Sequence, residues 1–422
     1  MSDQAFEQLL DQAQGGSPAA QYDLAQHYID QQEFGRARRW FGRAARNGHA
    51  RAWSQLGLLE LRGLGLSPDA AEARRHFESA AAAGDPEGRY QLALMAFRRG
   101  TPPEEVFPDL LEAARSGHPG AQRELGVLHL ATDPETGRGI LSLAAHQDDR
   151  IAQSLLARLW ADGVGGPADS RMARAWATRA AANGSYCRKR FEPLGGDDQA
   201  PDGTSDLDAA TLPMPALEST LPPPQHPTGD ERVTVWDHML AAWECEYLME
   251  AAAPLLRPSH TVHPETGEPV HNEMRTSFGC SFHPTDEDFV ILNIKRRLAA
   301  QTHLPVEHAE PFALLRYEPG QEYKSHWDFI DPRSGEAGRE LERFGQRQVT
   351  IFSYLTDVAE GGETEFVRRE VKVAPRQGRV LMFQNTLPDG RPDEESLHAS
   401  LPVTSGEKWI ATLWMRDKVY AR

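Results

Sequence analysis

The feature that most constrains this chain is a repeat. Alanine pairs lead to a glycine at Ala44-Ala45 and Gly48, Ala80-Ala81 and Gly84, Ala113-Ala114 and Gly117, and Ala180-Ala181 and Gly184. A weaker copy, Ala144-Ala145, has Asp148 in the glycine position. Successive pairs lie 36, 33, 31 and 36 residues apart, a period that marks a helix–turn–helix solenoid. Small alanines let two helices approach closely, and glycine ends a helix by taking left-handed dihedrals without a Cβ clash. Each copy then opens a helix with an apolar stripe, such as Ala52, Leu56 and Leu59. Gly63-Leu64-Gly65 and Gly163-Val164-Gly165-Gly166 supply turns inside two hairpins. One hairpin cannot bury its apolar face alone, so the stack folds as a unit.

The copies resemble Sel-one-like repeats, relatives of the tetratricopeptide repeat, over about residues 15–190. That resemblance implies a scaffold for a protein or peptide partner. The alternative is an array that only supports the second half, and no residue pattern here names a ligand. The helical solenoid is expected over residues 1–194.

With 422 residues the chain exceeds one ordinary core. From Gly195 to Arg232 the texture changes: Asp197-Asp198, Pro201-Asp202-Gly203 and Pro222-Pro223-Pro224 come with few large apolar residues. Such a stretch cannot offset its ordering entropy, so residues 195–232 read as a linker. The proline run is a semi-rigid spacer or a dock for a proline-binding partner. The net charge of −17 runs against phosphate binding, which excludes a nucleic-acid binder; basic stretches such as Arg36–Arg39 read as solvated helix faces. No apolar run approaches the roughly 20 residues that cross a bilayer, so no membrane partner is expected. Met1-Ser2-Asp3-Gln4 lacks the pattern of a secretory signal, and Cys187, Cys245 and Cys280 form no disulfide or metal framework. A reducing cytoplasm is the expected location.

The second half, residues 233–422, reads differently. A helix is expected after Thr285, which would cap Asp286, Glu287 and Asp288, with Val290, Ile291, Ile294 and Leu298 on one side. Strand-like runs follow at Phe312–Tyr317, Gln348–Leu355, Arg379–Phe383 and Trp409–Met415, separated by turns at Glu318-Pro319-Gly320, Glu360-Gly361-Gly362 and Pro388-Asp389-Gly390. Short strands with polar turns and no alternating helices argue for a barrel or jelly roll.

His326-Trp327-Asp328 sits among these strands. In an extended segment residues i and i+2 point to one side, so an imidazole and a carboxylate converge. A second histidine, His398, would complete a facial set of three ligands and leave half of an octahedral metal open. The short motif alone is weak. A second copy, His146-Gln147-Asp148, lies in the helical repeats, where the two side chains diverge. The surrounding string decides: Arg316-Tyr317-Glu318-Pro319-Gly320-Gln321-Glu322-Tyr323-Lys324-Ser325-His326-Trp327-Asp328 resembles the first metal-ligand strand of the prolyl 4-hydroxylase family. Arg347, Tyr354-Leu355-Thr356-Asp357, Gly361-Gly362-Glu363-Thr364-Glu365-Phe366, Leu397-His398-Ala399-Ser400-Leu401-Pro402-Val403 and Gly406-Glu407-Lys408-Trp409 continue the pattern in order, and Arg275-Thr276-Ser277 resembles the segment before it.

The resemblance implies a double-stranded β-helix (jelly roll) with supporting helices, behind the helical solenoid. It implies a dioxygenase that uses Fe(II), 2-oxoglutarate and O2, with ascorbate as a family expectation, on a protein or peptide substrate. It makes His326, Asp328 and His398 the metal ligands. Lys408 would pair with the far carboxylate of 2-oxoglutarate, helped by the hydroxyls of Tyr317 and Thr364. Tyr323, Arg347 and Trp414 would face the substrate. Alternation supports Lys408 independently: Lys408, Ile410, Thr412 and Trp414 share one strand face, opposite an apolar face of Trp409, Ala411, Leu413 and Met415. A buried lysine needs an anionic partner, either the co-substrate or a protein carboxylate.

Val367 stands where the family often has proline and Ser400 where it often has glycine, which leaves the substrate pocket open. Asp328 is present, which favours hydroxylation over halogenation. Other readings are a hydroxylase of another side chain or a small molecule, a repeat scaffold with an inactive oxygenase module, and a zinc hydrolase. The last leaves Lys408 unexplained.

Overall fold

The computed structural model describes residues 2–186, 207–215, 221–262, 269–271, 274–331 and 337–420. By contacts the described residues fall into two units. One lies within Met1–Ala152 and Asp202–Leu217, the other within Gln153–Pro201 and Glu218–Arg422.

In the first unit helices run from α1 (Asp3–Gln14) to α9 (Pro134–His146), and successive helices pack on one another. The closeness that the alanine pairs predict is present where α5 (Ala70–Ala82) meets α6 (Pro86–Arg98): a Cβ added to Gly88 would lie 2.6 Å from the Cβ of Ala80. Gly48, Gly84 and Gly117 take φ of 95°, 82° and 86°, and Asp148 takes 63° in the same place. Aspartate can visit that region because its short carboxylate bonds locally, so the weaker copy turns as the others do. Its His146 lies at the end of α9, with Nδ1 bonded to the Ser142 carbonyl at 2.7 Å. No metal cluster forms there among the described residues.

Part of the stretch expected to be a linker also belongs to this unit. Leu207–Pro215 lies on the helices with Leu212 fully buried. The motifs Asp197-Asp198 and Pro201-Asp202-Gly203 lie outside the described residues. Beyond Pro222–Pro224, in the second unit, Gln225 and Val235 exchange two backbone hydrogen bonds of 2.8 Å. Composition hides such contacts, because one leucine or a single backbone pair suffices to make them.

The second unit contains α10 (Arg150–Asp162) from Gln153 onward, α11 (Ser170–Ala182), α12 (Ala242–Ala252), α13 (Phe289–Ala300) and α14 (Ala337–Phe344). Its strands, in chain order, are β1 (Val233–Trp236), β2 (Arg257–Pro258), β3 (His260–Val262), β4 (Pro269–His271), β5 (Phe278–Ser281), β6 (Ala313–Tyr317) and β7 (Tyr323–His326). Then come β8 (Arg347–Tyr354), β9 (Glu360–Gly361), β10 (Thr364–Phe366), β11 (Val371–Val373), β12 (Val380–Gln384), β13 (His398–Ser400), β14 (Val403–Ser405) and β15 (Lys408–Arg416). The larger sheet has the order β1-β12-β8-β15-β6-β5-β2, and the smaller β11-β10-β13-β7. Every pairing is antiparallel. This is the expected jelly roll.

The core lies between the sheets, where Leu315, Tyr317, Phe352, Tyr354 and Ile410 of the larger one cluster with Phe366 and Val373 of the smaller. Period two puts them there: Phe352 and Tyr354 alternate along β8 with Ile351 and Ser353, which lie on its other face. α13 packs against β8 and β15, as the apolar residues Trp409, Ala411, Leu413 and Met415 require. That helix is capped by Asp288, whose carboxylate accepts the Ile291 N–H at 3.0 Å, and not by Thr285. The packed face starts at Phe289, so Asp288 is the residue placed to cap it, while the Thr285 hydroxyl lies 2.7 Å from His283 Nδ1.

The last helical hairpin packs with the strands. Glu250 of α12 is fully buried and accepts from the hydroxyls of Ser154 at 3.2 Å and Ser185 at 2.7 Å. Tyr186 meets Trp409 edge-on, with ring centroids 5.0 Å apart. No helix among the described residues is long and apolar enough to cross a membrane.

Candidate active site

β7 and β13 pair with His326 opposite His398, so the two imidazoles are cross-strand neighbours with ring centroids 4.3 Å apart. Asp328 follows the end of β7 and turns back to them. Its Oδ1 lies 3.7 Å from His326 Nε2 and its Oδ2 3.8 Å from His398 Nε2. Among the described residues these three are the group whose ligand atoms converge, all within 4.8 Å of one another. His326 Nδ1 lies 2.8 Å from the Lys324 carbonyl and His398 Nδ1 3.0 Å from the Ser396 carbonyl. A carbonyl only accepts, so each Nδ1 carries the proton and each Nε2 lone pair faces the centre.

Electrostatics favour the metal-binding forms of His326 and Asp328. Burial, and then His398 beside it, push the His326 imidazole down to about 4, so it is neutral at pH 7. Burial acts to raise the Asp328 carboxyl, but His398, His326, Arg347 and the Thr350 hydrogen bond together hold the group below the ordinary range. Two imidazoles and a carboxylate form the donor set that suits non-haem iron(II). The residues therefore fit that ion.

Sequence reasoning missed the residues behind Asp328. Thr350 donates its hydroxyl to Asp328 Oδ2 at 2.7 Å, and Asn385 donates to that hydroxyl at 2.8 Å. Alternation along β8 could have found Thr350, which shares a face with Phe352 and Tyr354. Thr350→Val removes the bond that fixes the carboxylate. We expect iron affinity to fall about 10–100-fold, the usual effect of losing such a partner, measured by equilibrium dialysis with Fe(II) under anaerobic conditions.

One cavity of about 190 Å³ is lined by all nine residues singled out in the sequence. Its inner end is closed by Lys408, Tyr317 and Thr364, which are 1%, 1% and 3% exposed. Lys408 lies opposite Tyr317 across the β15–β6 pair. Its ammonium donates to the Ser400 hydroxyl at 2.7 Å and lies 5.4 Å and 5.6 Å from the ring centroids of Tyr317 and Tyr354. Burial pushes Lys408 down to about 7, with Glu363 acting weakly against it. Burial also raises the phenol of Tyr317, which stays a neutral hydroxyl. Tyr354, unforeseen in the sequence, donates to the Thr364 hydroxyl at 2.7 Å. Ser400, whose departure from the family's common glycine left the substrate pocket open, lines the cavity and meets Lys408, because β13 brings it two residues beyond His398 on the same strand face.

The outer end carries Tyr323, Arg347 and Trp414, all part-exposed. Tyr323 stacks on His326 with centroids 3.5 Å apart. Arg347 gives Nε and Nη2 to the two oxygens of Glu310, at 2.6 Å and 2.9 Å, and its guanidinium lies 4.3 Å from the Trp414 ring centroid. Glu310 had no signal in the sequence, since it stands 37 residues from the arginine it holds.

Residues 312–416 match the family model of the 2OG-Fe(II) oxygenase superfamily, and residues 18–49, 52–85 and 150–185 match that of the Sel1 repeat. Prolyl 4-hydroxylase 1 of Arabidopsis thaliana is 36% identical over 209 residues, which cover 46% of this chain and 72% of that protein. Probable prolyl 4-hydroxylase 3 of the same plant is 36% identical over 211 residues, 45% of this chain and 71% of that one. The crystal structure of the viral collagen prolyl hydroxylase vCPH from Paramecium Bursaria Chlorella virus-1, a 2OG complex, aligns at 29% identity over 44% of this chain and 95% of that chain, with a TM-score of 0.35. With the extent of the plant relatives covered and the oxygenase model matched across the strands that build the site, the chain belongs to the prolyl 4-hydroxylase family of 2-oxoglutarate- and Fe(II)-dependent dioxygenases and carries Sel1 repeats ahead of that domain.

Proposed function

We propose that this chain hydroxylates prolyl residues of a protein or peptide, with His326, Asp328 and His398 holding Fe(II) and Lys408 anchoring 2-oxoglutarate. The observation that carries the reading is the single cavity, with the three converging ligand atoms and one buried ammonium facing into it. The iron with its co-substrate supplies the oxidising chemistry, in which O2 places one oxygen atom on a substrate C–H and the other in succinate as 2-oxoglutarate loses carbon dioxide.

The chain's own residues position the reactants. Lys408 at the inner end sets an anion's far carboxylate, and the hydroxyls of Ser400, Tyr317 and Thr364 lie beside it to share that carboxylate by hydrogen bonding. A co-substrate held there would have His326, Asp328 and His398 in the same cavity to receive its keto-acid end. The substrate enters from the part-exposed end. Tyr323 covers one face of His326 and shields it from water, while the Trp414 ring, 4.3 Å from the Arg347 guanidinium, helps to hold that group in place. Glu310 holds Nε and Nη2 of Arg347, and Nη1 gives one N–H to the Asp328 carbonyl at 3.4 Å, which leaves its second N–H to donate to a substrate carbonyl. Ascorbate fits the reading as a reductant that restores iron(II) after uncoupled turnover.

The test is succinate release from 2-oxoglutarate with Fe(II), O2 and ascorbate, scored beside mass spectrometry of proline-rich peptides. A gain of one oxygen on proline, in step with succinate, is expected. Coupled oxygen gain on another residue would keep the dioxygenase and overturn the prolyl assignment. Failure to bind both iron and 2-oxoglutarate would overturn the whole reading.

A further inference from the structure

The segment Leu207–Pro215 lies on the first unit in the manner of a bound peptide. Asp208 opens a single 3-10 turn, Ala209–Thr211, its carboxylate accepting the Ala210 N–H at 2.9 Å. After the turn, Leu212 is 0% exposed and Pro215 is buried, whereas Pro213 and Met214 face solvent. Fixed donors read two main-chain carbonyls. Arg115, at the end of α7 (Pro103–Arg115), donates to the Leu212 carbonyl at 2.6 Å. His129, the last residue of α8 (Pro119–His129), sets Nε2 3.2 Å from the Pro213 carbonyl and donates to it, since a carbonyl only accepts. Ahead of the turn Leu207 sits over Gly139 of α9, where an added Cβ would lie 2.2 Å from the Leu207 Cδ1.

Side-chain pockets at intervals, with backbone hydrogen bonds between them, are the means by which domains recognise extended peptides. Here the pockets accept a leucine, a second leucine five positions on, and a proline three positions beyond that. We propose that α7, α8 and α9 form a peptide site for a Leu-x-x-x-x-Leu-Pro-x-Pro segment, that residues 207–215 fill it in cis, and that the partner of the repeats carries the same pattern. The proposal deepens the reading of the repeats as a binding region and rests on it.

A tethered segment competes at an effective concentration in the millimolar range, so the site is closed to weak peptides and open to a partner that adds contacts of its own. Leu212→Asp in the full chain opens it, because a carboxylate cannot occupy the leucine pocket unpaired. The probe is a fluorescein-labelled nonapeptide, Leu-Asp-Ala-Ala-Thr-Leu-Pro-Met-Pro, read by fluorescence anisotropy. We expect it to bind the opened chain about tenfold or more tighter than wild type, the advantage that removing a tethered competitor gives. Adding Arg115→Ala abolishes the gain. Arg46→Ala, after the alanine pair Ala44-Ala45 on another hairpin, leaves it unchanged.

A second opened chain, with residues 207–215 replaced by glycine and serine, guards against a local effect of the aspartate, and circular dichroism checks that the helices persist. Equal binding to wild type and to both opened chains, absent binding to both, or binding that survives Arg115→Ala would overturn the proposal. No turnover is read in this assay, so its failure leaves the oxygenase reading untouched, and a failed succinate assay leaves the peptide result standing.

Discussion

The His326→Ala chain is expected to fold, to hold no ferrous iron and to release no succinate. The change removes one of the three proposed ligands, and the other two, Asp328 and His398, are themselves oriented by Thr350 and by the Ser396 carbonyl. Loss of a direct ligand exceeds the roughly 10–100-fold effect of losing an outer partner, so iron affinity should fall by more than two orders of magnitude. Anaerobic iron titration followed by circular dichroism separates this outcome from unfolding. His326 is part-exposed at the cavity mouth, and its ring contacts are to Tyr323 and His398, so no large core cavity opens. Iron retained at wild-type affinity would remove His326 from the centre.

Lys408→Ala should cost on the order of 10²–10³-fold in 2-oxoglutarate affinity, the scale of breaking one desolvated charge pair, while iron binding persists. Isothermal titration with Fe(II)-loaded protein under nitrogen measures it. The same lysine predicts a pH profile. Its free-enzyme value is depressed to about 7 by burial, and the charged form is the one that attracts a dicarboxylate. Affinity is therefore full below pH 7 and declines by up to about tenfold per pH unit above it. For the unliganded fold the sign runs the other way. The unfolded chain binds more protons between pH 7 and the usual lysine range, so this group's contribution to stability rises with pH across that window. Stabilisation by added 2-oxoglutarate in a thermal melt should consequently be greater at pH 6.5 than at pH 9. A flat profile would mean that Lys408 is charged throughout or is not the anchor.

Much of this was legible in the residues. The alanine pairs set the helical period, and Asp148 could substitute for glycine because the backbone asked only for a left-handed residue. Strand alternation placed Lys408, Ile410, Thr412 and Trp414 on one face, and all four line the cavity. What stayed hidden depends on pairing between distant strands. Asn385 reaches Asp328 only through Thr350, and Glu310 joins Arg347 only because both elements flank β15. Ser400 read as a departure from a pattern until the strand pairing set its hydroxyl against the lysine. Leu212 was lost in a polar stretch, since average composition says nothing about a single anchored side chain.

The hydroxyls that meet Glu250 bear on how this protein can be divided. They come from Ser154, inside α10, and from Ser185, just after α11, so a catalytic piece excised at residue 195 would lose both, and with them the Tyr186 N–H that also donates to this carboxylate, which is 0% exposed. Removing hydrogen bonds from a buried acceptor costs about 1–3 kcal/mol, a sizeable part of the stability of an ordinary domain. A catalytic piece that keeps these hydrogen bonds therefore begins ahead of Ser154, inside what the repeat pattern counts as solenoid. Exchanging one array for another by recombination is expected to cost that stability unless the final repeat travels with the enzyme.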